Sequence, residues 1–275
     1  MYSIDTGTEE LLCHIEERVA TITLNKPHKK NALGDTLTPA LRETIALLEQ
    51  DNRVGSVLIT GKGDAFCAGG DVSGMGGNRA SSGRNSRDVS KNERIESLFV
   101  KQRTLTQRIH ELDKITIAAL PGAAAGAGLS IALACDLRIA SSNAFVTTAF
   151  ANVGLSGDYG ASWFLPRIIG LSKAKEMFYT SDRISAEECE RLGIFNKLFP
   201  IDTFRDDAQA YAAKLSNGPI NALARMKKNL NSALDQELQD SLLLEARHLV
   251  ESMDDPESKE AIAAFMEKRR PNFKN

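Results

Sequence analysis

The chain has 275 residues, 42% hydrophobic and 25% charged, with a formal net charge of -2. That is enough apolar material for one large domain or two smaller ones, and the near-neutral balance, without a basic stripe interleaved with aromatics, argues against nucleic acid as a partner. Cys13, Cys67, Cys135 and Cys189 are scattered with no CxxC spacing, which argues against a zinc site or a disulfide framework and for a reducing, cytoplasmic setting.

The opening MYSIDTGTEE is polar and acidic and does not read as a targeting peptide. Leu11 to Leu24 reads as two strands broken near Glu16–Arg18, with Ala20, Ile22 and Leu24 alternating against Thr21 and Thr23. Leu37, Leu41, Ile45 and Leu48 fall at helical spacing behind Asp35 as a candidate N-cap. Val54 to Thr60 is a short apolar strand, so the start predicts a strand–helix–strand crossover. Eight of the twenty glycines lie between Gly61 and Gly83, and Ser73 to Ser90 is rich in Gly, Ser, Asn and Arg. That stretch reads as a loop, either a lid or a plain insertion.

Ile95, Leu98, Phe99, Leu105, Ile109 and Leu112 mark an amphipathic helix. Thr116 to Cys135 is uncharged and near the length of a membrane span. Its Ala and Gly content and its Pro121–Gly122 break instead predict a strand, a turn and a small-residue helix, with no membrane segment. Leu137–Ala140 and Ala144–Val146 read as strands, Tyr159–Ile168 and Lys173–Tyr179 as helices, and Phe195–Phe199 as a strand. From Ile201 the pattern turns helical, with a Leu238, Leu242, Ala246, Leu249 stripe and a last helix over Ala261–Arg269, stopped by Pro271. The shift near residue 200 divides an α/β part, 1–200, from an all-α part, 201–275.

Two Gly-rich turns follow strands: Ala65–Phe–Cys–Ala–Gly–Gly–Asp71 and Pro121–Gly–Ala–Ala–Ala–Gly–Ala–Gly–Leu129. Unpaired N–H groups at a helix start, among residues small enough for close approach, can hold an oxyanion. Taken singly, either turn reads as tight strand–helix packing. Neither matches a phosphate loop or a dinucleotide fingerprint. No cluster has metal-ligand spacing.

Together, in this order, the turns resemble those of the crotonase (enoyl-CoA hydratase/isomerase) superfamily. Leu24–Asn–Lys–Pro–His–Lys–Lys–Asn–Ala–Leu33 resembles its N-terminal CoA-binding segment. Ser185 to Gly193 and Glu260 to Pro271 resemble later family segments. The resemblance covers nearly the whole chain. It implies an α/β fold, a crotonase-like spiral of ββα units with a helical C-terminal region that covers an active site. It also implies a homotrimer or a hexamer built as a dimer of trimers. The substrate it implies is an acyl-CoA thioester, so no further cofactor and no metal is expected.

By the same resemblance, the backbone N–H groups of Gly70 and Ala127 are the oxyanion donors. CoA contacts fall near Lys30, Ala32, Ala68 and Asp71, with Phe265 and Lys268 approaching a CoA site from the C-terminal helix. The two glutamates of the hydratases fall on Ser130 and Phe150, and neither residue can do carboxylate work. Asp158, in Gly154–Leu–Ser–Gly–Asp–Tyr–Gly–Ala–Ser–Trp163, matches the aspartate of single-acid isomerases. Phe150 and Leu155 are expected to shape its pocket and raise its pKa. The expectation is proton transfer on an enolised acyl-CoA with Asp158 as acid and base. The alternatives are a hydratase with a non-standard acid, a non-catalytic acyl-CoA-binding homologue, and a dehalogenase-like nucleophile helped by His110. Asp158 as a helix N-cap is the plain structural alternative.

Overall fold

The computed structural model describes residues 1–71 and 89–273. The Gly-rich stretch read as a loop, Ser73 to Ser90, lies outside the described residues apart from its last two.

Strand β1 (Tyr2–Ile4) pairs antiparallel with β2 (Leu11–Glu16), and β2 forms a hairpin with β3 (Val19–Leu24). The expected break is the hairpin turn: Glu17 and Arg18 sit at φ +49° and +65°, the left-handed pair that matches strand twist. Helix α1 (Leu37–Glu49) then crosses to β4 (Ser56–Gly61), parallel to β3 with Ala20 opposite Val57 and Ile22 opposite Ile59. The crossover is the predicted one. Helix α1 buries Leu37, Leu41, Ile45 and Leu48, each burial worth roughly 1.5–3 kcal/mol. Its N-cap is Thr36 rather than Asp35, and no side chain caps it.

The chain then winds as a spiral. Strand β4 is followed by β5 (Ala65–Cys67). Beyond the undescribed stretch come α2 (Lys91–Gln102), a π-helical turn over Arg103–Gln107, and α3 (Arg108–Glu111). The next turn is β6 (Ile115–Leu120), β7 (Ala123–Ala125) and α4 (Ala127–Ala134). The third is β8 (Leu137–Ser141) and β9 (Phe145–Thr147) with α5 (Ala161–Ile169) and α6 (Leu171–Thr180). Strand β10 (Ile184–Ser185), α7 (Ala186–Arg191) and β11 (Lys197–Phe199) complete the α/β part. Among the described residues, one sheet runs β1-β2-β3-β4-β6-β8-β11 and a second runs β10-β9-β7-β5. Each turn thus gives one strand to each sheet, and the pairs β4/β6, β6/β8, β5/β7 and β7/β9 are all parallel. The uncharged Thr116–Cys135 run is spent on β6, β7 and α4. No helix among the described residues is long and apolar enough to cross a membrane.

Every residue of β4 is buried, because both faces of the large sheet are covered. One face meets the core of α1, α3 and α4. The other meets α8 (Phe204–Ser216), whose Phe204, Ala208 and Ala212 pack on Val19, Leu58 and Ile117. Helices α9 (Ile220–Ser232), α10 (Leu238–Asp254) and α11 (Pro256–Met266) follow. Lys227 of α9 is only 6% exposed; its ammonium donates to Asp136 Oδ2 at 2.9 Å and to the Lys114 carbonyl at 3.2 Å. Asp136 also accepts from the Thr116 N–H at 2.7 Å. A buried charge held this way locks α9 to the spiral, since breaking the pair would strand the other ion. The predicted stripe on α10 is exposed in the single chain, at Leu238, Leu242 and Leu249 alike.

One predicted helix is divided. Ile95, Leu98 and Phe99 on α2 are exposed, whereas Leu105, Ile109 and Leu112 are buried. The wider π-helical turn between them adds a residue to the repeat and rotates the apolar stripe, so the two halves face different surroundings.

The spiral closes on small residues. A methyl group on Gly128 of α4 would run into the carbonyl and side chain of Cys67 in β5. Gly128→Ala is expected to destabilise the protein by about 1–3 kcal/mol, read as a lower denaturation midpoint at unchanged slope. An unchanged midpoint would show that α4 does not pack this closely on β5.

Candidate active site

The first turn is placed by the short strand β5 and by the segment before α1. Asn31, fully buried, donates from its amide to the carbonyls of Lys62 and Ala65 at 3.0 and 2.8 Å and accepts from the Lys26 N–H at 2.9 Å. It fastens the Lys26–Leu33 segment to β5. Leu33 then forms a parallel bridge with Gly70: the Leu33 N–H donates to the Gly69 carbonyl and the Asp71 N–H to the Leu33 carbonyl, each at 2.8 Å. The bridge uses the groups on either side of the Gly70 N–H. That N–H has no partner among the described residues.

The second turn ends β7 and opens α4. Ala127 is the first helical residue, so its N–H lacks an intrahelical acceptor. Gly126, at φ +50° and ψ -124°, donates instead to the Thr147 carbonyl of β9 at 3.1 Å. Gly69 joins the two turns. At φ +94°, a β-carbon on it would lie 2.9 Å from the Ala125 carbonyl and 3.5 Å from the Ala127 nitrogen. The two free N–H groups are therefore neighbours, and the space beside Gly70 is open.

That space is a cavity of about 450 Å³ lined by Gly70, Ala127 and Asp158 together with Leu33, Asp71 and Tyr159. The three residues expected to do chemistry thus share one cavity. Asp158 is not a helix cap: α5 begins at Ala161, its N-cap is Gly160, and no side chain caps it. The Asp158 carboxylate instead accepts at Oδ1 from the Gln102 amide at 2.7 Å and from the Tyr159 N–H at 2.8 Å. Its main-chain carbonyl accepts from the Ser130 hydroxyl at 2.8 Å. Burial pushes its pKa above the usual carboxylate value, and the two donors hold it back. Tyr159, at φ +51°, occupies the left-handed region, a strained placement for a bulky side chain.

The other expected residues separate. Asp71 lines the cavity and pairs with Lys29 at 2.8 Å. Lys30 is exposed and pairs with Asp64 at 2.6 Å, outside the cavity lining. Ala32 is buried, while Ala68 is exposed and donates its N–H to the Lys30 carbonyl at 2.9 Å; neither lines the cavity. Phe150 is buried and stacks on Phe178, with ring centroids 5.9 Å apart. Leu155 is half exposed. Neither lines the cavity, so its walls are not the apolar ones expected. They are supplied instead by α1 and α2, through Thr38, Arg42 and Lys101, which had not been singled out, and Leu98, expected only as part of an amphipathic helix. Their signal was helical spacing: Thr38 and Arg42 are four apart, and Leu98 and Lys101 three. Phe265 is 81% exposed on α11, and Lys268 just beyond it is also exposed.

His110 stands apart from this cavity. It makes edge contacts with Trp163 and Phe164, ring centroids 5.2 and 5.4 Å away, and burial lowers its pKa. It lines a separate cavity of about 860 Å³ between the α2–α3 segment, α5 and α9. His110 thus lines a different cavity from Asp158. The four cysteines are free and buried, with burial pushing each thiol up to about 12. No group of His, Cys, Asp and Glu among the described residues could hold a metal ion.

The chain is similar over nearly its whole length to known proteins. Residues 14–275 match the family model described as enoyl-CoA hydratase/isomerase. A probable enoyl-CoA hydratase of Rhodobacter capsulatus is 36% identical, covering 94% of this chain and 95% of its own. The 1,2-epoxyphenylacetyl-CoA isomerase of Escherichia coli is 32% identical over 96% of this chain and 98% of its own. The crystal structure of an enoyl-CoA hydratase from Polaromonas sp. JS666 superposes with a TM-score of 0.86 at 35% identity, covering 95% of this chain and 98% of that one.

A carboxylate whose pKa is raised by folding opposes the folded state once it ionises. Below the unfolded pKa both states carry the proton and nothing is lost; through the folded pKa and above, the buried charge costs stability. Asp158→Asn keeps an Oδ1 acceptor for Gln102 and Tyr159 and removes the charge. Its melting temperature is expected to equal or exceed wild type by up to a few degrees, about 2–4 °C at neutral pH. The difference should vanish under acid conditions where Asp158 is protonated. A large drop at neutral pH would mean the carboxylate is structural.

Proposed function

The chain belongs to the enoyl-CoA hydratase/isomerase family, and from that premise we propose that it moves a proton within an unsaturated acyl-CoA, with Asp158 as the single acid and base. The observation that carries this reading is the sharing of one cavity by the two unpaired N–H groups and a carboxylate with a raised pKa. The thioester carbonyl of a 3-enoyl-CoA accepts from the Gly70 and Ala127 N–H groups. Asp158 takes a proton from C2, and the electron pair of that C–H bond moves toward the carbonyl oxygen. The resulting dienolate holds its charge where the two donors face it. Asp158 then returns the proton to C4, the C3–C4 double bond becomes C2–C3, and the thioester is conjugated. The proton leaves and returns through one group, so the step calls for no metal and no redox cofactor. Oxyanion donors of this kind contribute roughly 2.7–4 kcal/mol each to the barrier.

Hydration is the second reading. It is supported by relatives such as the short-chain-enoyl-CoA hydratase of Clostridium acetobutylicum, 32% identical to this chain. Two carboxylates are needed to hold and split water in the usual way. The positions that resemble those of the hydratase glutamates carry Ser130, whose hydroxyl is spent on main-chain carbonyls, and Phe150, stacked in the core. Asp71 and Asp35 do share the cavity with Asp158, so hydration would have to recruit one of them. A binding protein without catalysis would leave the raised pKa of Asp158 without a use.

The isomerase reading predicts that Asp158→Asn lowers the rate of conjugated thioester formation from 3-hexenoyl-CoA by about 10²–10⁴-fold, with binding retained. Ala127→Pro removes one donor at the first helical position, where proline is tolerated, and should lower kcat by about 10²–10³-fold. Steady-state kinetics with circular dichroism checks both. Turnover at the wild-type rate by folded Asp158→Asn would sink the proposal.

A further inference from the structure

We propose that Gln102 is a positioning residue for Asp158: by occupying Oδ1 it assigns the travelling proton to Oδ2. The inference rests on Asp158 acting as the acid and base.

The geometry is asymmetric. Both donors that reach the carboxylate, the Gln102 amide at 2.7 Å and the Tyr159 N–H at 2.8 Å, bond the same oxygen. Oδ2 receives no hydrogen bond among the described residues. An oxygen already accepting two hydrogen bonds is the weaker base, because protonation would set its proton against both donors. The free oxygen is the one left to face a substrate carbon in the cavity that Asp158 lines.

Gln102 is placed for this by its own backbone. It is the last residue of α2, directly before the π-helical turn Arg103–Gln107, a distortion that costs regular hydrogen bonding. Side chains of that turn take up the displaced carbonyls: the Thr106 hydroxyl donates to the Gln102 carbonyl at 3.2 Å and the Thr104 hydroxyl to the Val100 carbonyl at 2.7 Å. Gln102 also lines the larger cavity beside Phe99, Trp163 and Phe164. Its amide reaches from there to the Asp158 carboxylate, which lines the smaller cavity.

The amide donor also favours the ionised carboxylate against the pull of burial. The charged and titratable groups around the same cavity are Arg42 from α1 with Asp35 before it, Lys101 from α2, Asp71 from the first turn, Lys26, and Tyr159 beside Asp158 itself. None of these forms an ion pair with Asp158 among the described residues. Gln102 and the Tyr159 N–H are therefore the groups that hold the carboxylate down.

The test is the pH dependence of kcat/KM for 3-hexenoyl-CoA in wild type, Gln102→Leu, Gln102→Glu and Asp158→Asn. Loss of a hydrogen bond to a charged group should move the acid limb of Gln102→Leu upward by about one to two pH units, with KM little changed and the alkaline plateau within about tenfold of wild type. Gln102→Glu, nearly isosteric, places a second carboxyl against Oδ1; the pair shares one proton, so its profile should show two apparent pKa values pushed apart in place of the single wild-type limb. If Gln102→Leu is unfolded, the Glu variant decides by that splitting. An acid limb at the wild-type position in either folded variant, with Asp158→Asn inactive, overturns the role of Gln102 and leaves that of Asp158 standing. Loss of fold in both Gln102 variants would mark the residue as structural and overturn the role equally. Undiminished activity in Asp158→Asn would sink the reading beneath it.

Discussion

Everything at the site depends on two peptide N–H groups being left without acceptors in the same space. Ala127 is buried, where a donor with no partner costs on the order of 1–3 kcal/mol, while Gly70 is exposed, and the fold supplies a different reason for each to stay unpaired. At Gly70 the reason is the bridge to Leu33, which consumes the neighbouring peptide groups and passes over this one. At Ala127 the reason is the start of a helix. Parallel pairing of β5 with β7 brings the two together, and Gly69 allows a contact that a side chain would block. The small residues of both turns are thus explained by one requirement: backbone has to approach backbone.

The acid is placed by different means. Asp158 sits in a stretch held at its carbonyl by Ser130 and at its carboxylate by Gln102 and Tyr159. Its environment pulls in two directions, burial toward the neutral acid and the donors toward the anion. A proton shuttle needs that balance, because a group that strongly prefers either state either fails to accept or fails to return the proton. Ser130 has a distinct place in this arrangement. It stands where the resemblance puts a hydratase glutamate, and it spends its hydroxyl holding the backbone of the remaining acid.

Much of the framework was legible in the sequence. Alternation over Ala20–Leu24 and helical spacing over Leu37–Leu48 marked β3 and α1, and those elements form where expected, although β3 is buried on both faces. The second sheet was legible only at β9, read as Ala144–Val146 and found at Phe145–Thr147. Strands β5 and β7 are three residues long, too short for a period, and Ala123–Ala125 carries no β-forming signal. Strand β1 was missed for the same reason. The ends of short elements also moved: β11 begins at Lys197 rather than Phe195, and α11 spans Pro256–Met266 rather than Ala261–Arg269.

The site was partly legible. Gly70, Ala127 and Asp158 could be named from motif resemblance, and they share a cavity. Local sequence could not separate a catalytic Asp158 from a helix cap; the start of α5 at Ala161 settles that it is not a cap. Phe150 was expected in the pocket for its apolarity, yet a better apolar partner, Phe178, takes it into the core. Gln102 gave no signal, since its partner Asp158 lies 56 residues along the chain. The most direct test of single-acid proton transfer is to convert 3-hexenoyl-CoA in deuterated water and follow product mass and label position. The account predicts a 2-enoyl thioester of unchanged carbon–oxygen composition, with any deuterium confined to C2 and C4 and its appearance dependent on Asp158. No conversion of 3-hexenoyl-CoA, with 2-hexenoyl-CoA gaining the mass of one water in a parallel reaction, would contradict it and make the protein a hydratase.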